Sequence, residues 1–226
     1  MDKSEPRQRP GRPQEVFVTW GTGYIGRPLI AALAARGHRV CALVRPGRVA
    51  ALPGSCTAMV GDALDAACYS GGLAQADTLV HLVGVAHPSP ARAAQFLNVD
   101  LMSVRAAVAA AQRAGVAHFV YVSVAQPAPV MHAYISARAP GEVLLRESGI
   151  ATTVLRPWYV LGPGHCWPHL LVPAYWIAER FARTRETARR LGLVSLEQML
   201  AALVRAVEHP AAGMRVMDVP TIRQLA

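Results

Sequence analysis

Gly21, Gly23 and Gly26, with Thr22, Tyr24 and Ile25 between them, follow a short β-type run at residues 16–19 and open a helix-like segment that closes at Gly37. Glycines between a strand and a helix N-terminus let backbone N–H groups approach an anion closely, the chemistry that holds the diphosphate of a dinucleotide. A nucleotide cofactor is therefore the first expectation. Trp20 stands just before these residues, where such a turn favours glycine. An indole there needs a tolerated backbone angle and somewhere to lie: over the phosphate site it blocks the ligand, and tucked aside it weakens binding.

The elements that must position this turn follow from the pattern of the rest of the chain. Glycine closes three helix-to-strand joints, at Gly37, Gly115 and Gly149, where a helix ends in the left-handed conformation. The runs at residues 40–44, 78–85, 119–124 and 152–155 are apolar on both faces, as parallel strands covered by helices on both sides require. Between them, Ser89 and Pro90 open a long helix whose Leu97, Leu101, Val104, Val108 and Ala111 fall on one stripe. Near the C-terminus Ser195 and Gln198 have capping-box spacing ahead of a second amphipathic helix. Alternation of this kind predicts an α/β fold, a doubly wound parallel sheet with helices on both faces and a small C-terminal lobe, whose ligand lies beyond the C-terminal ends of the strands. The expected organisation is a flexible tail at 1–14, a dinucleotide-binding core at 15–157, and a short substrate lobe with a C-terminal helix packed on the core at 158–226.

Composition narrows the function classes. A net charge of +9 over 226 residues comes largely from scattered arginines, densest at Arg180, Arg183, Arg185, Arg189 and Arg190, with no aromatic or recognition-helix motif beside them. That is read first as a solvated basic face, and nucleic acid is not the expected partner. Cys41, Cys56, Cys68 and Cys166 show no paired spacing, which argues for a reducing, cytoplasmic compartment. The apolar stretch at residues 170–178 is too short to cross a bilayer, so no membrane span is expected. His165, Cys166 and His169 crowd one proline-bearing loop without a distant fourth ligand, and no metal is expected there.

An ordered set of motifs ties these elements together: residues 18–26, Gly61 with Asp62, His81 to Gly84, Asn98 to Asp100, Tyr121 to Ser123, Tyr134 with Arg138, Leu155 to Pro157, and Gly162 to Gly164. In this order they resemble the short-chain dehydrogenase/reductase superfamily in its extended or atypical branch, which includes NAD(P)-dependent epimerases and dehydratases. The resemblance implies a Rossmann fold and cofactor contacts at Gly21, Thr22, Gly23, Tyr24, Ile25 and Gly26. It puts Asp62 and Ala63 near the adenine and Leu82, Val83 and Gly84 along the ribose, although Asp62 equally suits a helix cap. The family's glycines fall at the positions of Trp20, Gly23 and Gly26, so the G-x-G-x-x-G match through Gly21 is partly accidental. Where an NAD-specific relative carries an acidic residue, this chain has Arg45 and then Arg48, which suits the 2′-phosphate of NADP.

By the same resemblance Ser123 binds the substrate oxygen, Tyr134 passes the proton, and Asn98 supports a water chain. The family's lysine four residues after the tyrosine is Arg138 here, which keeps the charge but does not release a proton. Two functions stay open on these residues. One is an NADP(H)-dependent oxidoreductase acting on a small carbonyl or alcohol, as a monomer or homodimer; the other is a catalytically inactive relative serving as a redox sensor, regulator or assembly factor.

Overall fold

The computed structural model describes residues 12–85, 95–128, 130–163, 186–187 and 189–225. Its centre is a seven-stranded parallel sheet in the order β3-β2-β1-β4-β5-β6-β9. The strands are β1 (Glu15–Val18), β2 (Arg39–Val44), β3 (Cys56–Val60), β4 (Thr78–His81), β5 (His118–Val122), β6 (Ala151–Leu155) and β9 (Met214–Met217). A separate parallel pair joins β7 (Tyr159–Leu161) to β8 (Leu193–Ser195). The chain winds outward in both directions from β1, which pairs with β2 on one side and β4 on the other. This reversal opens a crevice above the C-terminal ends of β1 and β4.

Alternation along the strands divides the core between the two faces of the sheet. Val16 and Val18 pack with Leu29, Ile30 and Leu33 of helix α1 (Gly26–Ala35) and with Leu203 and Val207 of α5 (Leu196–Glu208). Phe17 and Phe119 pack on the opposite face against Val104, Ala107, Val108 and Ala111 of α3 (Met102–Ala114), joined by Leu145 of α4 (His132–Ser148). Two short helices are also present among the described residues, α2 (Ser70–Leu73) and α6 (Val219–Arg223). Gly37, Gly115 and Gly149 take φ of +85°, +69° and +73°, the left-handed closures read from the sequence. The capping box forms as well, with the Gln198 N–H donating to Ser195 Oγ and the Ser195 N–H donating to Gln198 Oε1, both at 3.0 Å.

Of the described residues beyond 158, β9 supplies the seventh strand and α5 covers α1. Strand β3 has no counterpart in the apolar runs, because as an edge strand it is largely exposed and its sequence does not need two apolar faces.

The long helix departs from its expected stripe at one place. Ser89 and Pro90 lie outside the described residues, but Phe96–Leu101 forms a π-helical turn ahead of α3. The wider turn brings residues four apart into line, so Phe96, Asp100 and Val104 are buried while Leu97 is 51% exposed. A charged residue thereby replaces leucine on the inward face. Among the described residues no helix is long and apolar enough to cross a membrane.

Candidate functional site

Two halves of the crevice are built differently. In the half over β1–β3, Thr19 continues β1, its N–H donating to the Val80 carbonyl at 3.0 Å and its Oγ1 accepting from the Leu82 N–H at 3.0 Å. Trp20 then takes φ of +57°, the left-handed conformation that glycine would adopt freely, so the turn keeps its path despite the side chain. The Gly23 N–H closes it on the Trp20 carbonyl at 3.0 Å. The indole folds over Gly23: a Cβ added there would lie 2.6 Å from Trp20 Cδ1 and 3.0 Å from Nε1. The ring therefore rests on the face of the glycine that a diphosphate would use.

Gly26 sits against the Trp20 carbonyl with no room for a Cβ. Gly21 instead faces the core, where a Cβ would meet Ala42 at 2.7 Å, so it is a packing residue. Ile25 caps α1 without a side-chain acceptor, and the first turn carries no acidic residue, leaving the positive end of the helix open to an anion. Thr22, Gly23 and Tyr24 line a cavity of about 540 Å³ with Arg27 and Pro163, and the Tyr24 hydroxyl closes against Gly162. Arg45 and Arg48 are both exposed just past β2. Asp62, also exposed, accepts from the Leu64 N–H at 3.0 Å, and the half-buried Ala63 offers its carbonyl to Tyr69 at 3.4 Å.

Over β4–β6 the groups are instead buried and paired. Arg138, on α4, reaches inward to the strand ends. Its Nη2 pairs with Asp100 Oδ1 at 2.6 Å and donates to the Val83 carbonyl at 3.2 Å, while Nη1 donates to the Val122 carbonyl. The guanidinium fills the space a Cβ on Gly84 would take. Leu82 beside it is half-buried and Val83 buried. Asp100 Oδ2 accepts from the Val85 N–H at 3.1 Å. The guanidinium also sits 5.1 Å from the Tyr134 ring centroid. Phe96 meets that ring edge-on, with centroids 5.0 Å apart.

These neighbours set the ionisation of the site. Burial raises the Tyr134 phenol above its ordinary pKa; Arg138 pulls it down and Asp100 pushes it up. Burial disfavours the Arg138 charge, yet Tyr134, Tyr121 and Asp100 outweigh it and hold the guanidinium protonated. Behind the pair, His81 bridges Thr19 Oγ1 at 3.3 Å and Ser103 Oγ at 3.2 Å. Burial, helped by Arg138, pushes its pKa down to about 3, so this ring is neutral.

Ser123 donates to Glu142 Oε1 at 2.6 Å, and that carboxylate also takes Gln126 at 2.9 Å and Arg156 at 3.0 and 2.5 Å. Glu142 lies two turns beyond Tyr134 on α4, so the Ser123 hydroxyl is bonded to a different part of that helix. Asn98 is exposed on the π turn, and Asp100 is the residue of that segment that enters the site. Asp100 and Glu142 were missed because buried carboxylates are read from sequence only when their cations are known to face them. His165, Cys166, His169, Gly164 and Arg180 to Arg185 lie outside the described residues; among those described, no group of three potential metal ligands gathers.

The site's chemistry fits the phosphates of a dinucleotide: a tight glycine turn and an uncapped helix N-terminus. Comparison with known proteins agrees. A family model described as NAD(P)H-binding matches residues 21–163. A 3-diazoavenalumate denitrifying reductase of a Streptomyces species is 33% identical over 175 residues, covering 66% of this chain and 57% of that protein. A ketoreductase of Stigmatella aurantiaca acting on a farnesylated dihydroquinoline oxide is 30% identical over 170 residues, covering 65% and 50%. The chain thus spans between half and three fifths of the length of these relatives. Among solved structures, the Bordetella bronchiseptica enzyme WbmH in complex with NAD+ superposes with a TM-score of 0.69 at 22% identity, covering 92% of this chain and 76% of that one. Sheet order, glycine turn and family match lead to one assignment: the chain belongs to the NAD(P)H-binding family and has a Rossmann-like fold.

Proposed function

We propose that this protein is an NADP(H)-dependent reductase of a small carbonyl compound, with Tyr134 as the proton donor. The observation that carries the reading is Tyr134 itself, a half-buried residue in contact with a permanently charged guanidinium at the C-terminal ends of the central strands. When bound, the reduced nicotinamide supplies hydride to the carbonyl carbon. Tyr134 gives its proton to the carbonyl oxygen as the C–O bond becomes single, the phenolate is held by Arg138, and solvent returns the proton. Burial keeps the phenol protonated at neutral pH, which is the form reduction consumes. Ser123, which the family resemblance assigns to the substrate oxygen, donates its hydroxyl to Glu142 in this structure.

Arg45 and Arg48 support NADP over NAD, as exposed cations past β2 that complement a 2′-phosphate. Phosphate contacts fall to the backbone of Thr22, Gly23, Tyr24 and Ile25, with the Trp20 ring displaced from Gly23. The free thiols of Cys41, Cys56 and Cys68 agree with a reducing compartment.

The test is nicotinamide fluorescence on titration with NADPH, followed by loss of absorbance with a panel of aldehydes and ketones. Tyr134→Phe should leave NADPH affinity within about twofold and cut turnover by about 10²–10⁴-fold. Absence of NADPH binding at millimolar concentration removes the proposal, and unchanged turnover in Tyr134→Phe removes its proton donor.

A further inference from the structure

Arg138 has three acceptors among its neighbours, Asp100 Oδ1, Val83 O and Val122 O, and these occupy both terminal nitrogens. Only one of them carries charge. Asp100 is itself fully enclosed, with its second oxygen fixed by the Val85 N–H. It enters the site because of the π turn, which also delivers Phe96 to the edge of the Tyr134 ring. One local irregularity thus supplies both the counter-ion of the cation and the wall of the phenol. Irregular turns of this kind recur at functional sites.

We infer that Asp100 is a positioning residue of the Tyr134 site: it anchors the Arg138 guanidinium against the phenol and holds it away from a cofactor ribose. This rests on the function proposed above, because only a working Tyr134 gives the anchoring a catalytic consequence. A lysine at position 138 would present a compact ammonium on a flexible stem. The arginine fork is longer, and without a buried carboxylate its charge would be uncompensated beneath Gly84. With Asp100 in place, the guanidinium stabilises a transient phenolate without keeping Tyr134 ionised at rest.

Among the described residues, the charged and titratable groups acting on the phenol are Arg138 on α4 and Asp100 on the π turn, with Tyr121 on β5 coupled to it; Glu142 and the neutral His81 act on Tyr121 and Arg138 behind them. The experiment is a tyrosinate absorbance titration of the full chain without cofactor, each protein measured against its own Tyr134→Phe counterpart so that the other tyrosines cancel. Asp100→Asn should move the Tyr134 midpoint down by about one pH unit or more, and Asp100→Glu should restore most of it. An unchanged midpoint in a folded Asp100→Asn protein, with stability alone affected, overturns the inference.

Should Asp100→Asn not fold, Arg138→Gln and the double variant Asp100→Asn/Arg138→Gln carry the test, since the double variant leaves no buried charge uncompensated. Arg138→Gln should raise the midpoint, and adding Asp100→Asn should then change it by less than about half a unit. A larger change means that Asp100 does not act through Arg138 and overturns the inference. The titration uses neither NADPH nor turnover. A protein that fails to bind NADPH but shows these shifts loses the proposed function and keeps the charge coupling.

Discussion

The two halves of the crevice spend their polar groups in opposite ways. Over β1–β3, Arg45, Arg48 and Asp62 are exposed, and the end of α1 is left without a cap. Over β4–β6, Arg138, Asp100, Ser123, Glu142 and His81 are all buried and bonded to one another or to strand ends. A half that recognises phosphates keeps its donors available to an incoming anion. On the proposed function the other half transfers a proton, and its groups are fixed beforehand, so that no reorganisation is needed during reaction. The division teaches that stability and affinity are separable here: changes over β4–β6 act on the fold, and changes over β1–β3 act on the ligand.

The sharpest way to break that comparison is at Glu142. Glu142→Leu strands Ser123, Gln126 and Arg156 together, and should cost about 3–5 kcal/mol in urea denaturation. A loss below about 1 kcal/mol would mean that the buried half is not the structural one. The next effect is acid sensitivity. His81 and His118 both have folded pKa values of about 3 against an ordinary 6.5, because burial penalises the charged ring, aided by Arg138 and Arg215 respectively. The unfolded chain therefore takes up protons first as pH falls. The stability these rings contribute is complete above pH 6.5 and is lost on the way down, at about 1.4 kcal/mol per pH unit for each ring. Urea midpoints at pH 7, 6 and 5 measure it, and His118→Gln should roughly halve the slope.

On the other half, Arg45→Ala with Arg48→Ala should weaken NADPH about 10–100-fold while leaving NADH affinity and the urea midpoint nearly unchanged. Equal loss for both nucleotides would remove the 2′-phosphate role. The smallest effect is at Trp20. Trp20→Gly relieves a left-handed non-glycine residue and should add about 1 kcal/mol of stability. It also uncovers Gly23, so NADPH should bind more tightly by calorimetry; weaker binding would show that the indole assists the ligand.

What the sequence disclosed followed from residues whose backbone demands are narrow. Gly37, Gly115 and Gly149 marked the helix ends because few residues accept a left-handed angle, and Ser195 with Gln198 marked a helix start because the two side chains bond locally. The parallel sheet was legible in runs apolar on both faces. The edge strand β3 was not, because exposure relaxes that requirement. In the site, the replacement of lysine by Arg138 and of glycine by Trp20 was visible, but the consequence of each lay in distant partners. Asp100 turned inward through an added residue in one helical turn, which the 3.6-residue period does not anticipate. Ser123 was placed at the right strand end, and its bond to Glu142 depends on which face of α4 meets β5.

The winding of the sheet also governs how the protein comes off the ribosome. Leu29 and Leu33 on α1 are translated long before Leu203, Val207, Met217 and Ile222, which cover that side of the sheet. Until they emerge, the nascent polypeptide carries an uncovered oily surface beside a half-finished sheet edge at β6, whose neighbour is β9. Synthesis of this molecule thus passes through an obligatory sticky interval, and slowing translation between β6 and α5 lengthens it.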